Sequence, residues 1–525
     1  LEGAAWAALE RDLLRRLVDL GAEALARVFD RRRPGDVVLK ARLFGAAGAG
    51  RARYDAFVAG LAGEGLLRFF EDHPVAARLT AHLVEDWVAV VGEFVARLAD
   101  DAEAIAATFA VSLPARVATI AAGLSDPHRG GRRVAILRFR DGPAIVHKPK
   151  PFATEAAYNR FVAWFGDAVP THRPRALACL DRGAWGWVEH VEARPCCDAA
   201  ETTRFYENVG VLAALLHLLG VNDCHRENLI AAGPDPVFVD AETVLHPEPA
   251  TRDAGFAWVR AAAFDLSVVR TGLLPRWMVD AENRVVADIT ALGGGGEGQT
   301  PLAERRWVGI GTDAIHRATA TATAPVTSRP EPIAEAGVDR GAAMARGFAL
   351  AHRAIVARRD ELLAADGPLA AFADLAVRFI YRPTAVYAAL LERSMAPEAL
   401  ADGLVRSIGL DAVARAHLDE AEPPPEWPIA RLERAALERL DVPVLEMPCG
   451  GRDLPLDGGE TISGFAAIAA FDLTRARLAA MDEADLALQT AIIRGSFAAR
   501  DVRPPATGRG DGTTGPGDVA EPALG

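Results

Sequence analysis

Apolar residues recur at i, i+3, i+4 and i+7 over Trp6–Phe29 and again over Ala76–Leu98, with charged residues between them. That spacing predicts amphipathic helices, and residues 1–115 read as a helical region throughout. The period changes near Ser125. Arg133–Phe139 (RVAILRF) and Ala144–His147 (AIVH) are short and rich in β-branched residues, and Asp141-Gly142 between them is a hairpin signal. Thr154–Phe165 returns to helical spacing, and Trp185–Val191 reads as another strand. Phe205–Leu219 is an apolar helix with Gly220 placed as its stop. Leu229–Ala232 and Pro236–Val239 read as two short strands around the turn Gly233-Pro234-Asp235. From Ala291 to about Pro332 the chain carries Gly293–Gly296 and then Thr-Ala alternation over Ala318–Ala324, which predicts a long irregular loop. Residues 339–420 return to helical spacing, so Arg378 is expected on a helix. The Pro/Gly-rich stretch after Arg500 is expected to be a disordered tail or linker. No internal repeat stands out.

Composition narrows the class. At about 150 residues per domain, 525 residues make roughly three to four domain equivalents. Half the residues are hydrophobic and a quarter charged, an ordinary globular balance. The net charge of −13 offers no footprint for broad nucleic-acid binding. No apolar run reaches the roughly 18 uncharged residues of a membrane span. The chain starts Leu1-Glu2 without Met or a secretion signal, so a trimmed chain or a fragment is expected. Cys179, Cys196, Cys197, Cys224 and Cys449 form no C-x-x-C pair, so neither a disulfide framework nor a cysteine zinc site is expected, and a reducing cytoplasm is the expected compartment. Among 58 basic residues only Lys40, Lys148 and Lys150 are lysines. In a chain that uses Arg wherever a positive charge suffices, a retained Lys marks a place for a compact ammonium.

The densest chemistry lies in Gly220-Val221-Asn222-Asp223-Cys224-His225-Arg226-Glu227-Asn228, followed by the hairpin and Asp240-Ala241-Glu242. Phosphoryl transfer uses this layout. One Asp takes the proton of the attacking hydroxyl, while an Asn a few residues on and a later acid hold Mg²⁺ through hard oxygens. Lys148, on an earlier strand, is placed to grip nucleotide phosphates, and Glu155 on the next helix can pair with it. Taken alone, D-x-H-x-x-N could be an Asx turn and Lys148 a solvated surface charge. The continuous run of helix, loop, hairpin and D-x-E is far more specific. Its Asp-before-His order differs from the H-R-D order of ordinary protein kinases and looks like the lipid-kinase arrangement.

Leu215–Pro247 (LLHLLGVNDCHRENLIAAGPDPVFVDAETVLHP) resembles the dehydratase domain of class II lanthipeptide synthetases, the LanM type. Further segments share the likeness: Asp126-Pro127-His128-Arg129-Gly130-Gly131-Arg132, Val146-His147-Lys148-Pro149-Lys150, Phe264-Asp265-Leu266-Ser267, Leu273-Leu274-Pro275 and Arg378–Tyr387 (RFIYRPTAVY). It extends over roughly residues 75–500. The resemblance implies ATP- and Mg²⁺-dependent phosphorylation of Ser and Thr in a ribosomal precursor peptide. Phosphate elimination at the same site then leaves dehydroalanine or dehydrobutyrine. It further implies Lys148 on the ATP phosphates, Asp223 as base, and Asn228 and Asp240 as magnesium ligands with Glu242 beside them. Asp126, His128 and His225 match active-site positions, and Arg378 and Thr384 match the pair associated with elimination. Read without the family, Arg378 could form a structural ion pair, Thr384 could be a helix cap, and Gly293–Gly296 could be loop flexibility.

The family's Arg after Lys-Pro is Lys150 here, which keeps the charge and loses the fork. Full-length synthetases carry a zinc cyclase domain that these 525 residues are not expected to contain, so a cyclase domain or protein is an implied partner. The expected fold is α+β, an atypical, lipid-kinase-like, two-lobed kinase core. Its parts are a helical extension (1–115), an N-lobe with an antiparallel sheet (116–200), a catalytic C-lobe segment (201–290), an activation-like loop (291–338), a helical completion (339–500) and the tail (501–525). The rival readings are a kinase that stops at phosphorylation and a pseudokinase that only binds a leader peptide.

Overall fold

In the computed structural model, which describes residues 1–45, 49–250, 267–276, 278–279, 285–287, 290–293, 302–322, 338–417 and 422–501, the two N-terminal amphipathic segments are helices α1 (Gly3–Asp30) and α2 (Pro74–Asp100). Pro74 sits in the first turn of α2, where its missing N–H costs no hydrogen bond. Ala5, Leu9, Val91 and Phe94 from these helices pack with Leu137, Ile145 and Trp187 of a five-stranded antiparallel sheet. The strands are β1 (Val117–Ala121), β2 (Ala135–Phe139), β3 (Ala144–Lys148), β4 (Cys179–Asp181) and β5 (Gly186–Glu189), in the order β1-β2-β3-β5-β4. The Asp141-Gly142 turn joins β2 to β3, with Arg138 opposite Ala144. Strand β1 precedes the first strand the sequence pattern marked.

Alternation along β3 sends neighbouring side chains to opposite faces. His147 packs against Phe94 and Trp187 under the helices, where burial pushes its imidazole down to about 3. Lys148 faces the other way, toward helix α3 (Ala153–Gly166). On that side Phe152, Val188, Ala232 and Val237 join the sheet to the hairpin of β6 (Leu229–Ala232) and β7 (Asp235–Phe238). The second strand starts one residue earlier than its apolar run.

Helix α4 (Ala199–Leu218) crosses the centre of the larger core, and every residue from Asn208 to Leu218 is buried. Asp198 caps its start by accepting from the Glu201 N–H. It lies against α5 (Arg340–Ala357) at backbone contact. A Cβ on Gly210 would meet Met344 O at 2.0 Å, and one on Gly347 would meet Glu207 O at 1.8 Å. Gly220 ends this segment with φ +62°.

Two expectations need correction. Within 291–338, expected to be irregular, Leu302–Val308 (β8) and His316–Ala322 (β9) form an antiparallel ribbon. The Thr-Ala alternation runs along β9, since β-branched Thr suits a pleated strand. Arg378 is not helical. It lies on strand β10 (Ala376–Phe379), which pairs with β11 (Leu445–Pro448), and Val377 and Phe379 alternate inward from it. Helix α6 (Thr384–Ser394) follows. Gly294–Gly296, Phe264-Asp265-Leu266 and residues 502–525 lie outside the described residues. No helix among those described is long and apolar enough to cross a membrane.

Candidate active site

The end of β3, the loop after α4, the turn after β7, strand β10 and the 124–134 loop meet around a cavity of about 610 Å³. That size falls within the roughly 300–1,000 Å³ of small-molecule and cofactor sites. Its walls include Asp126, His128, Glu155, Asp223, His225, Asn228, Asp240, Glu242, Arg378 and Thr384. Ten of the eleven candidates thus share one cavity. Lys148 is the eleventh and lies buried just behind the wall, at 5% exposure.

Charge alternates along one chain of contacts. Lys148 Nζ donates to both Glu155 oxygens at 2.8 and 2.7 Å, to Val239 O at 2.5 Å and to Asp240 Oδ1 at 3.2 Å. Lys150 Nζ donates to the same Asp240 oxygen at 2.8 Å and to Glu242 Oε2 at 2.5 Å. Arg378 Nη1 donates to the other Glu242 oxygen. The order is Glu155, Lys148, Asp240, Lys150, Glu242, Arg378. Burial pushes the Lys148 ammonium down, but Asp240 and Glu155 outweigh it and leave it above its ordinary value. Burial likewise pushes Asp240 up, yet Lys148 and Lys150 hold it well below the usual carboxylate range. Glu242 is also lowered, its burial overcome by Lys150 and Arg378. Lys148, Asp240, Lys150, Glu242 and Arg378 are thus each held in the charged form by a partner, whereas burial and Asp240 raise the Glu155 carboxyl against the pull of Lys148 and Lys150.

Asp223 is different. Among the described residues it pairs with no Lys or Arg, and His225 Nε2 lies 3.7 Å from its Oδ1. Burial pushes its carboxyl up to about 6, and Glu242 and Asp240 add to the rise against His225 and Arg378. The Glu227 N–H donates to His225 Nδ1 at 3.2 Å, and His225 Nε2 lies 3.4 Å from Asn228 Nδ2. Asn228 Nδ2 donates to Asp223 O at 2.7 Å, and Cys224 N donates to Thr271 O at 2.9 Å, which ties the loop down at both ends.

The 126–132 segment is a strained turn, with φ of +48°, +85° and +79° at Arg129, Gly130 and Gly131. Asp441, before β11, accepts from Gly130 N at 2.5 Å and Gly131 N at 2.9 Å. Val442 N donates to Pro127 O at 2.8 Å, and His128 Nδ1 donates to Val442 O at 2.8 Å, leaving Nε2 as an acceptor. Burial holds His128 below its ordinary value. The glycine pair thus wraps a carboxylate of this chain. Asp126 is exposed at the rim, and Thr384 is exposed in the first turn of α6 rather than capping it.

Sequence reasoning passed over Lys150 as a site residue, though the scarcity of lysine that marked Lys148 marks it equally. Asp441 carries no local signal, since its role exists only through contacts more than 300 positions apart. Asp240, Glu242 and Asn228 are the hard-oxygen side chains that could hold a cation. Among the described residues, no three His, Cys, Asp or Glu side chains form a metal-holding group.

The chain belongs to the family described as a domain of unknown function, DUF4135, whose model matches residues 73–447, more than half of it. That span begins at the head of α2 and takes in every site residue described above. Over 167 residues the chain is 27% identical to the lacticin 481/lactococcin biosynthesis protein LcnDR2 of Lactococcus lactis subsp. lactis, a match over 30% of this chain and 18% of that protein. The chain covers less than a fifth of the length of this relative.

Proposed function

We propose that this chain is a lanthipeptide dehydratase built on a kinase-like core of the lipid-kinase type. It phosphorylates Ser and Thr of a ribosomal precursor peptide and then eliminates the phosphate from the same residues. Family membership and the match to a protein named for lacticin biosynthesis support this reading. The observation that carries it is the paired ion chain along a single cavity, with the raised Asp223 carboxyl beside it, which meets no Lys or Arg among the described residues.

The donor set fits magnesium with a nucleotide. Asp240 and Glu242 are ionised oxygen donors on the cavity wall, Asn228 adds an amide oxygen nearby, and the Lys150 ammonium between the two carboxylates stands where a cation would stand. Mg²⁺ is commonly held by one or two carboxylates together with phosphate oxygens, so a cage of three acids is not required. Bound ATP and Mg²⁺ supply the transferable phosphoryl group.

The side chains of this chain do the rest. A carboxyl near 6 is mostly ionised at neutral pH and is a stronger base than an ordinary Asp, so Asp223 takes the hydroxyl proton as the Ser or Thr oxygen attacks. His225 lies beside that carboxylate, with Nε2 3.7 Å from Oδ1. Glu155 holds Lys148, whose ammonium in turn ties the sheet to Val239 and Asp240 after the hairpin. In the second step a base takes the proton α to the peptide carbonyl, the C–H electron pair forms a Cα=Cβ bond, and the Cβ–O bond breaks with its electrons leaving on phosphate. Arg378 and Lys150 place positive charge where the departing phosphate gathers negative charge, and the Thr384 hydroxyl lies on the same wall. Asp126 and His128 line the same cavity, His128 close enough to Arg378 and Glu242 to feel their charge. Ring closure would fall to a zinc cyclase domain or protein.

Incubation with ATP, Mg²⁺ and a precursor peptide, read by mass spectrometry, tests the proposal. Loss of one water per modified residue is expected, and Asp240→Asn should abolish phosphorylation and dehydration together. Stable phosphopeptide from the unaltered chain would show a kinase that stops at the first step, and an undiminished rate in Asp240→Asn would remove Asp240 from the site.

A further inference from the structure

Lys150 and Lys148 lie two residues apart on the same side of the chain, yet they do different work. Lys148 is 6% exposed at its side chain and spends its donors on Glu155, Val239 O and Asp240. Lys150 is 25% exposed, lines the cavity and bridges one oxygen of Asp240 and one of Glu242 at 2.8 and 2.5 Å. Two carboxylates from positions 240 and 242 thus converge on a single ammonium. Each keeps its remaining oxygens for other partners, and Glu242 uses one of them on Arg378. An ammonium has three donors and no preferred plane, so it can sit between two oxygens as a monovalent cation does, whereas a guanidinium fork would engage one carboxylate side-on. A flexible four-carbon stem also lets it leave without moving the backbone. Pro149 and Pro151 on either side restrict that backbone.

From this geometry we infer that Lys150 is the resident counter-cation of the Asp240–Glu242 pair. It occupies the place a divalent cation takes, and it turns to the anionic group that arrives with that cation. The inference rests on the reading of Asp240 and Glu242 as cation ligands. Lys150 then has two opposed effects. Against a bare divalent cation it is a competitor, because the ion must displace it from both carboxylates. Toward a cation carrying phosphate it is a partner, because the displaced ammonium meets the negative charge that follows. The site is thereby biased toward the metal–nucleotide complex over either part alone.

The test is calorimetric titration of the full chain and its Lys150→Met variant, first with Mn²⁺ alone and then with Mg²⁺ and ATP. Removing the ammonium leaves two facing carboxylates, so Mn²⁺ alone should bind roughly tenfold more tightly or better, since charge count at the ligands sets such affinities. The metal–nucleotide complex should bind more weakly by a similar factor. Opposite signs are the signature, because general loosening of the fold would weaken both. Lys150→Gln replaces the ammonium with a shorter neutral amide and should show the same pair of shifts if Lys150→Met is unstable. Unchanged or weaker Mn²⁺ binding in both variants would overturn the inference. If the unaltered chain bound no metal–nucleotide while Lys150→Met still gained Mn²⁺ affinity, the counter-cation role would stand and the kinase reading would fall.

Discussion

At the residue scale, the difference between Asp223 and its neighbours decides the chemistry. Asp240 and Glu242 are pinned by cations and are poor bases. Asp223 is half-buried with no Lys or Arg partner among the described residues, and it can take a proton. Replacing Asp223 by Asn should cut phosphorylation by about 10²–10⁴-fold, the usual contribution of a general base. The pH dependence follows from the raised value. The base works only when ionised, so the rate should fall as pH drops through about 6, roughly tenfold per unit below it. For stability the sign is opposite. A carboxyl that holds its proton more tightly when folded favours the fold as pH falls from about 6 toward the unfolded value. Asp223→Asn should therefore leave the melting temperature at neutral pH unchanged or slightly higher while activity collapses; a lower melting temperature would mark the residue as structural. These positions were legible in sequence because they combine rare residue types, a Lys in an Arg-rich chain and two of five Asn, within one continuous run. Lys150 was equally visible and was passed over, because only a folded chain shows which ammonium faces the cavity.

At the scale of elements, helices longer than two turns announced themselves by their apolar period. That holds for α1, α2 and α4, whose boundaries differ from the sequence pattern by a few residues. Strand β10 did not, because four residues give too short a pattern to separate a strand from a helix flank, and its partner β11 lies almost 70 positions on. The β8–β9 ribbon was missed because Ala weakens the strand signal between its threonines. The contact that ties distant elements together at the site is Asp441 under Gly130 and Gly131. Asp441→Ala leaves two largely buried N–H groups without an acceptor, at a cost of about 1–3 kcal/mol. It should lower the denaturation midpoint and also reduce turnover, because Asp126 and His128 ride on that turn. An unchanged midpoint would mean the turn is held by its other contacts. The α4–α5 crossing gives a sharper steric case. Gly210→Ala places a methyl on the Met344 carbonyl and should cost about 1–3 kcal/mol or more, measured by the same denaturation.

At the scale of the molecule, the sheet, the hairpin and strand β10 each supply one sign of charge to a shared wall. The chain from Glu155 to Arg378 links the residues read as serving phosphorylation to the one read as serving elimination. If one site performs both steps, removing its far end should separate them. The most direct measurement is the product mass from Arg378→Ala with ATP, Mg²⁺ and precursor peptide, followed over time beside the unaltered chain. The account predicts water loss with little phosphopeptide in the unaltered chain, and phosphopeptide that accumulates in the variant. Dehydration at the same rate and extent in Arg378→Ala would contradict it.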